Sequence, residues 1–204
     1  MRGGWVLAVL ATAALAVRAD AANLLGNGTF DDPGSYLTGW LNVGGNESWV
    51  ADDADGAPDS GSVEITDTWD DTYSEWIYDC VPILSGATYQ YGARQKTPSG
   101  QTATGEARVV LFFDSDTECL ADITAVQVTS TALDAWTLLQ GEAQAPPNAL
   151  RGRLLLLVDK SSGGVANDLR IRFDDAFVIP EPSAGALQVA ALGALAALRR
   201  RGSA

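Results

Sequence analysis

The chain has 204 residues, no histidine, two cysteines, six tryptophans and a formal net charge of −13, a length that fits one ordinary domain plus end segments. Without histidine there is no Ser-His-Asp or Cys-His triad and no His-ligated zinc, and two cysteines alone hold neither a four-cysteine zinc site nor an iron–sulfur cluster. The acidity excludes nucleic acid as a partner, since phosphates are met by Lys and Arg.

Residues 1–21 read as an export signal. Arg2 gives a short positive start, Trp5 to Val17 is an uncharged apolar run, and Ala19-Asp20-Ala21 is a small-x-small cleavage pattern. A buried helix is the alternative, but this segment lacks a polar face. Residues 22–179 form the body. They hold 24 of the 26 acids and 8 of the 13 bases, for a net charge of −16. Such a body repels DNA and anionic lipid.

Along the body, short apolar runs recur between turn signals. Strands are predicted at Ser62–Ile65, Trp76–Ile83, Thr88–Arg94, Ala107–Phe113, Ala125–Ser130, Trp136–Glu142, Arg151–Val158 and Leu169–Val178. Several alternate with period two, and the Leu154 to Leu157 run predicts a strand buried on both faces. Turn chemistry stands between them at Asn27-Gly28, Asp55-Gly56, Ser85-Gly86, Pro98-Ser99-Gly100, Pro146-Pro147 and Ser162-Gly163-Gly164. No helical stripe of useful length interrupts the pattern. The fold class is therefore all-β, a jelly-roll β-sandwich. Cys80 and Cys119 are expected to pair as a disulfide in an exported chain, with a redox or nucleophilic role as the alternative.

The tail, residues 180–204, runs Pro180-Glu181-Pro182, an apolar stretch from Ala184 to Leu198, then Arg199-Arg200-Arg201. As a helix the stretch would extend about 22 Å, short of the roughly 30 Å hydrocarbon core. A C-terminal anchor and a buried helix both fit that composition. In its order of features the tail resembles the PEP-CTERM sorting signal of Gram-negative bacteria. That resemblance implies recognition by an exosortase-type processing enzyme, a short transmembrane helix held transiently in the inner membrane, and delivery to the cell surface or extracellular matrix.

Three blocks of the body resemble the jelly-roll carbohydrate-binding modules of families 4 and 9, within the galactose-binding-like fold. They are Asn23-Leu24-Leu25-Gly26-Asn27-Gly28-Thr29-Phe30-Asp31 with Gly39-Trp40, then Val81-Pro82-Ile83-Leu84-Ser85-Gly86-Ala87-Thr88-Tyr89, and finally Trp136-Thr137-Leu138 to Ala145-Pro146-Pro147 with Ile171-Arg172-Phe173-Asp174-Asp175-Ala176. The resemblance implies one structural Ca2+, with Asp31 in place of the usual Glu and Asp174 and Asp175 from the closing strand. Surface acids pinning the chain ends are the alternative. It also implies structural roles for Trp40 and Trp136, which are assigned to the core.

Asp52-Asp53-Ala54-Asp55-Gly56 does not match an EF-hand, because Ala51 and Ser62 would stand at the first and twelfth positions; a solvated turn is expected instead. Trp69, Tyr73 and Trp76 lie in a polar stretch, where aromatic rings suit the apolar face of a sugar, and Arg94, Gln95 and Lys96 offer polar partners. Edge packing of the sandwich is the alternative for those rings. With no nucleophile elbow, P-loop or metalloprotease motif, the chain is not expected to be an enzyme. The expected function is binding of a polysaccharide or glycan by an exported surface or matrix protein; a structural or adhesive matrix protein without a sugar site is the alternative.

Overall fold

The computed structural model describes residues 22–43, 46–69, 74–164 and 167–181. The export segment 1–21, Tyr73 and the tail 182–204 lie outside the described residues, and so do the expectations placed on them, those on Pro182, Arg199, Arg200 and Arg201 included. Pro180 and Glu181 are described, as the end of the last strand and the residue after it.

Ten strands follow in chain order: β1 Leu41–Val43, β2 Glu47–Val50, β3 Ser62–Asp67, β4 Ser74–Pro82, β5 Thr88–Lys96, β6 Thr104–Asp114, β7 Asp122–Ser130, β8 Thr137–Gln144, β9 Arg151–Ser162 and β10 Leu169–Pro180. They form two five-stranded sheets, ordered β1-β4-β9-β6-β7 and β2-β3-β10-β5-β8, with every pair antiparallel. This is the expected jelly-roll sandwich. All eight predicted strands are present. β1 and β2 are additional: each is three or four residues long, too short to show a period.

Period-two alternation explains what lies between the sheets. From the first sheet Ile77, Val109, Leu111, Phe113, Leu154, Leu156 and Val158 point inward; from the second, Val63, Ile65, Tyr91, Ala93, Ile171 and Phe173 meet them. Leu155, on the opposite face of β9 from Leu154 and Leu156, is also only 6% exposed, so the leucine run is buried on both faces as expected. Trp40 is buried against Phe30, ring centroids 5.1 Å apart. Trp136 departs from expectation: it stands one residue before β8, only partly buried, with the Lys96 ammonium 5.8 Å from its ring centroid. The edge of the second sheet, not the core, receives it.

Two further features shape the corner where the chain enters and leaves the sandwich. The Asn23 side chain donates to the Ala176 carbonyl at 2.8 Å and accepts from the Val178 amide at 3.0 Å, while the Leu24 amide donates to the Val178 carbonyl. The opening segment is thus stitched along β10. Gly28 closes that stitch: the Ala176 amide donates to its carbonyl, and a Cβ there would overlap the Ala176 oxygen. The register of β10 against β5 shifts between Asp174 and Phe177, and Asp175 takes a positive φ of 48°. This bulge re-aims the two aspartates. Cys80 of β4 and Cys119 of the β6–β7 loop form the disulfide, as expected.

Candidate functional site

The interior residues of the first sheet fix, by alternation, what its exterior carries. Register places Val43, Trp76, Leu157 and Arg108 in one row across β1, β4, β9 and β6; Leu41, Tyr78, Leu155 and Val110 in the next; and Cys80, Arg153 and Phe112 in a third. Trp76, Tyr78 and Phe112 are partly exposed there. At the edge Leu41 and Val43 are exposed. The result is an apolar, ring-bearing surface on a rigid sheet.

Set into that surface are two guanidinium groups, each held by two carboxylates. Arg153 pairs with Asp114 and Asp122, and its guanidinium carbon lies 4.7 Å from the Phe112 ring centroid and 5.7 Å from that of Tyr78. Arg108 pairs with Glu106, at 2.8 Å, and with Asp159. Asp114 has no exposed surface. Burial pushes its carboxyl up to about 6, with Asp122 and Asp116 adding to the rise and Arg153 opposing it. Chemically, such a face offers flat rings to the C–H side of a pyranose and fixed donors and acceptors to its hydroxyls.

Of the sequence-predicted ligand residues, Trp76 stands on this face. Trp69 follows β3 at one end of the sandwich and is 50% exposed. Its amide donates to Asp67 and its carbonyl accepts from the buried Lys160 ammonium. Arg94 and Lys96 are on the exterior of the other sheet, away from Trp76, where Arg94 meets Asp175 at 3.1 Å and Lys96 meets Asp52 at 2.9 Å. They make ion pairs over the acidic loop and do not join the aromatic face. Gln95 is a clear correction. As the residue between them in a strand it faces inward, has no exposed surface, and its amide donates to Ser130 Oγ and the Ala132 carbonyl.

Tyr78, Phe112, Arg108 and Arg153 are not singled out by the sequence. Their signal is present as Trp76-x-Tyr78, Arg108-x-Val110-x-Phe112 and Arg153-x-Leu155-x-Leu157, three alternations on three strands. Only the β4–β9–β6 pairing, which is not local in sequence, puts them side by side.

Asp31, Asp174 and Asp175 belong to the corner at the β10 bulge. Asp174 is 1% exposed; its two oxygens accept from the Ala54 and Asp175 amides, at 2.9 and 2.7 Å. Burial pushes its carboxyl up to about 8, and the neighbouring Asp175 and Asp53 act in the same direction. Asp175 is raised chiefly by burial, with Asp55, Asp53 and Asp31 adding to the rise and Arg94 opposing it. Asp174 and Asp175 are thus adjacent at the bulge, and Asp31 is near enough for its charge to raise Asp175. Among the described residues, however, no group of three acids is arranged to hold a metal ion. The Asp52–Gly56 loop is not simply a solvated turn. Asp52 takes both Lys96 and Arg172, and the Ala54 amide caps Asp174, so the loop is folded down over the bulge.

The solved structures most informative for this arrangement are modules of similar size. One is a family 16 carbohydrate-binding module, 22% identical, with TM-score 0.55, covering 77% of this chain and 99% of that one. The chain has the fold of carbohydrate-binding modules. A second match is the CBM22-1 xylan-binding domain of Paenibacillus barcinonensis Xyn10C, 16% identical, TM-score 0.55, covering 81% of this chain and 99% of that one. A third is a CBM61 module solved with β-1,4-galactotriose, 17% identical, TM-score 0.50, covering 79% of this chain and all of that one. No family model and no curated protein matches the sequence. These likenesses establish the jelly-roll fold.

Proposed function

We propose that this chain is an exported, non-enzymatic surface or matrix protein that binds carbohydrate across the exterior of its first sheet. The observation that carries the reading is the set of rows on this face: Arg153 between the Tyr78 and Phe112 rings, and Trp76 in one row with Leu157 and Arg108. Xylan and β-1,4-galactotriose, named for two of the similar modules, make uncharged polysaccharide the first class to test. The non-enzymatic part is supported by the missing histidine and by the acids of this face, Glu106, Asp114, Asp122 and Asp159, all being engaged by arginine.

Export through residues 1–21, sorting at Pro180-Glu181-Pro182 by an exosortase-type enzyme, and a transient inner-membrane hold by the apolar tail are parts of the same proposal. Their support is the sequence itself. A structural calcium at Asp31, Asp174 and Asp175 also belongs here, supported by the mutual repulsion of Asp175 with Asp31, Asp53 and Asp55; such an ion would relieve it and stiffen the chain ends. The test is calorimetry on the full chain against xylo- and galacto-oligosaccharides, with and without calcium. Saturable binding lost in Trp76→Ala supports the reading. No binding across neutral polysaccharides in either condition would overturn it and leave the structural or adhesive role.

A further inference from the structure

We propose a second carbohydrate site, at the end of the sandwich and on the exterior of the second sheet, at a polar hollow of about 410 Å3 whose lining residue Asn167 is joined through the Lys160 ammonium to the backbone of the half-exposed Trp69. The proposal rests on the carbohydrate reading above and adds to it a separate location with its own residues.

The hollow is walled by the β5–β6 loop and by the residues that enter and begin β10, with Ser99, Gln101, Asn167, Asp168, Arg170 and Arg172 among its lining. Its β5–β6 wall is held by hydrogen bonds. The Gln101 side chain mimics a paired strand, accepting from the Arg170 amide at 2.7 Å and donating to the Arg170 and Pro98 carbonyls at 2.9 and 2.8 Å. The Ser99 amide donates to Asp134, tying down the same loop.

Trp69 is brought to this place by a buried cation. Lys160 is 1% exposed, and its ammonium donates to the carbonyls of Trp69, Gly164 and Asn167. Asn167 lines the hollow, so one ammonium joins the tryptophan's backbone to the hollow's wall. Asp67, fully buried, receives the Trp69 amide at 3.0 Å, and the Lys160 backbone amide at 3.4 Å. Both sides of the Trp69 backbone are thus gripped by buried charged residues while half its surface stays open. Dehydrating an ammonium is costly unless its donors are met. Here three carbonyl acceptors and the buried Asp67 carboxylate offset that cost, and the Trp69 backbone they hold is fixed in advance, which lowers the entropy lost when a ligand stacks there.

The lining also points to the ligand class. Arg172 is balanced by Glu64, and Arg170 is exposed near the acid Asp168. Donors and acceptors of both signs on a strongly acidic body suit hydroxyls rather than a uronate. A volume of this order accommodates a small ligand, here the terminal unit of an uncharged glycan chain.

Calorimetry and backbone-amide NMR with xylo- and galacto-oligosaccharides on the full chain test this. The expected result is two oligosaccharides per chain for the wild type. Trp69→Ala and Arg170→Ala should each lose one of them, at least tenfold in affinity, while Trp76→Ala loses the other. Arg170 is exposed, so its variant folds even where Trp69→Ala does not, and Trp69→Phe supplies a milder ring change. One bound oligosaccharide, abolished by Trp76→Ala and unchanged by Trp69→Ala and Arg170→Ala, overturns the second site and leaves the first intact. No binding by the wild type overturns both.

Discussion

Arg153 of β9 and Phe112 of β6 are direct register partners, and the guanidinium carbon of one lies 4.7 Å from the ring centroid of the other. Tyr78 flanks the same guanidinium from β4, at 5.7 Å. A cation fixed between two rings and two carboxylates cannot be exchanged for another cation without loss, because lysine lacks the planar fork.

Arg153→Lys and Trp76→Ala should each weaken glycan binding by about tenfold or more, equivalent to about 1.4 kcal/mol. Leu138→Ala, at an exposed position on the other sheet, should leave binding unchanged. Titration calorimetry on the three variants checks this. Equal affinities throughout would remove the first-sheet exterior as the site.

Asp114 couples this face to pH. Its carboxyl lies at about 6 in the folded chain against an ordinary 3.8, a rise caused first by burial. A raised folded value means that the folded state holds the proton more tightly. The associated stability is full below about pH 4 and is lost as pH rises through about 6. Asp114→Asn cannot titrate, so its Tm relative to wild type should rise from about pH 4 to about 6 and then level off. A constant difference across that window would refute the assignment.

Cys80 and Cys119 are separated by 39 residues and bonded. In the chain-entropy model that closure is worth about 4 kcal/mol, so reduction or a double Ser substitution should lower Tm by on the order of 10 °C. Melts with and without reductant measure it. Because Cys80 is the β4 partner of Arg153, glycan affinity should fall in the reduced protein as well.

Gly28→Ala drives a methyl carbon into the Ala176 carbonyl oxygen. Backbone on both sides must part, and the expected destabilisation is about 3 kcal/mol, at the upper end for overpacking. Chemical denaturation gives the number, and hydrogen exchange at the Leu24 and Ala176 amides should quicken in step. A neutral effect would mean that the opening segment contributes little to stability.

The strands are largely legible because each long one carries its own alternation, from Thr88–Arg94 to Leu169–Val178. β1 and β2 are not, since Leu41–Val43 and Glu47–Val50 are short edge pieces whose partners β4 and β3 define them. The site is legible only in part. Trp76 can be noticed alone, but its place in one row with Leu157 and Arg108 depends on three strands, β4, β9 and β6, that lie far apart in the chain. Gln95 misleads for the opposite reason: adjacency in sequence suggests a shared surface with Arg94 and Lys96, whereas one step along a strand reverses the face. The acidic loop misleads because charge density suggests exposure, when Asp52 is met by Lys96 and Arg172.

Asn23 bonds the backbone of β10 on either side of Phe177, at Ala176 and Val178. The first and last described segments of the sandwich are therefore neighbours, and either end can be extended or joined to the other without threading a loop through the fold. Linking Glu181 to Ala22 and opening the chain at an exposed turn such as Ser99-Gly100 should give a circularly permuted domain that still folds. A module closed in this way is a cassette: whatever precedes and follows it in the chain can change while both sheets stay as they are.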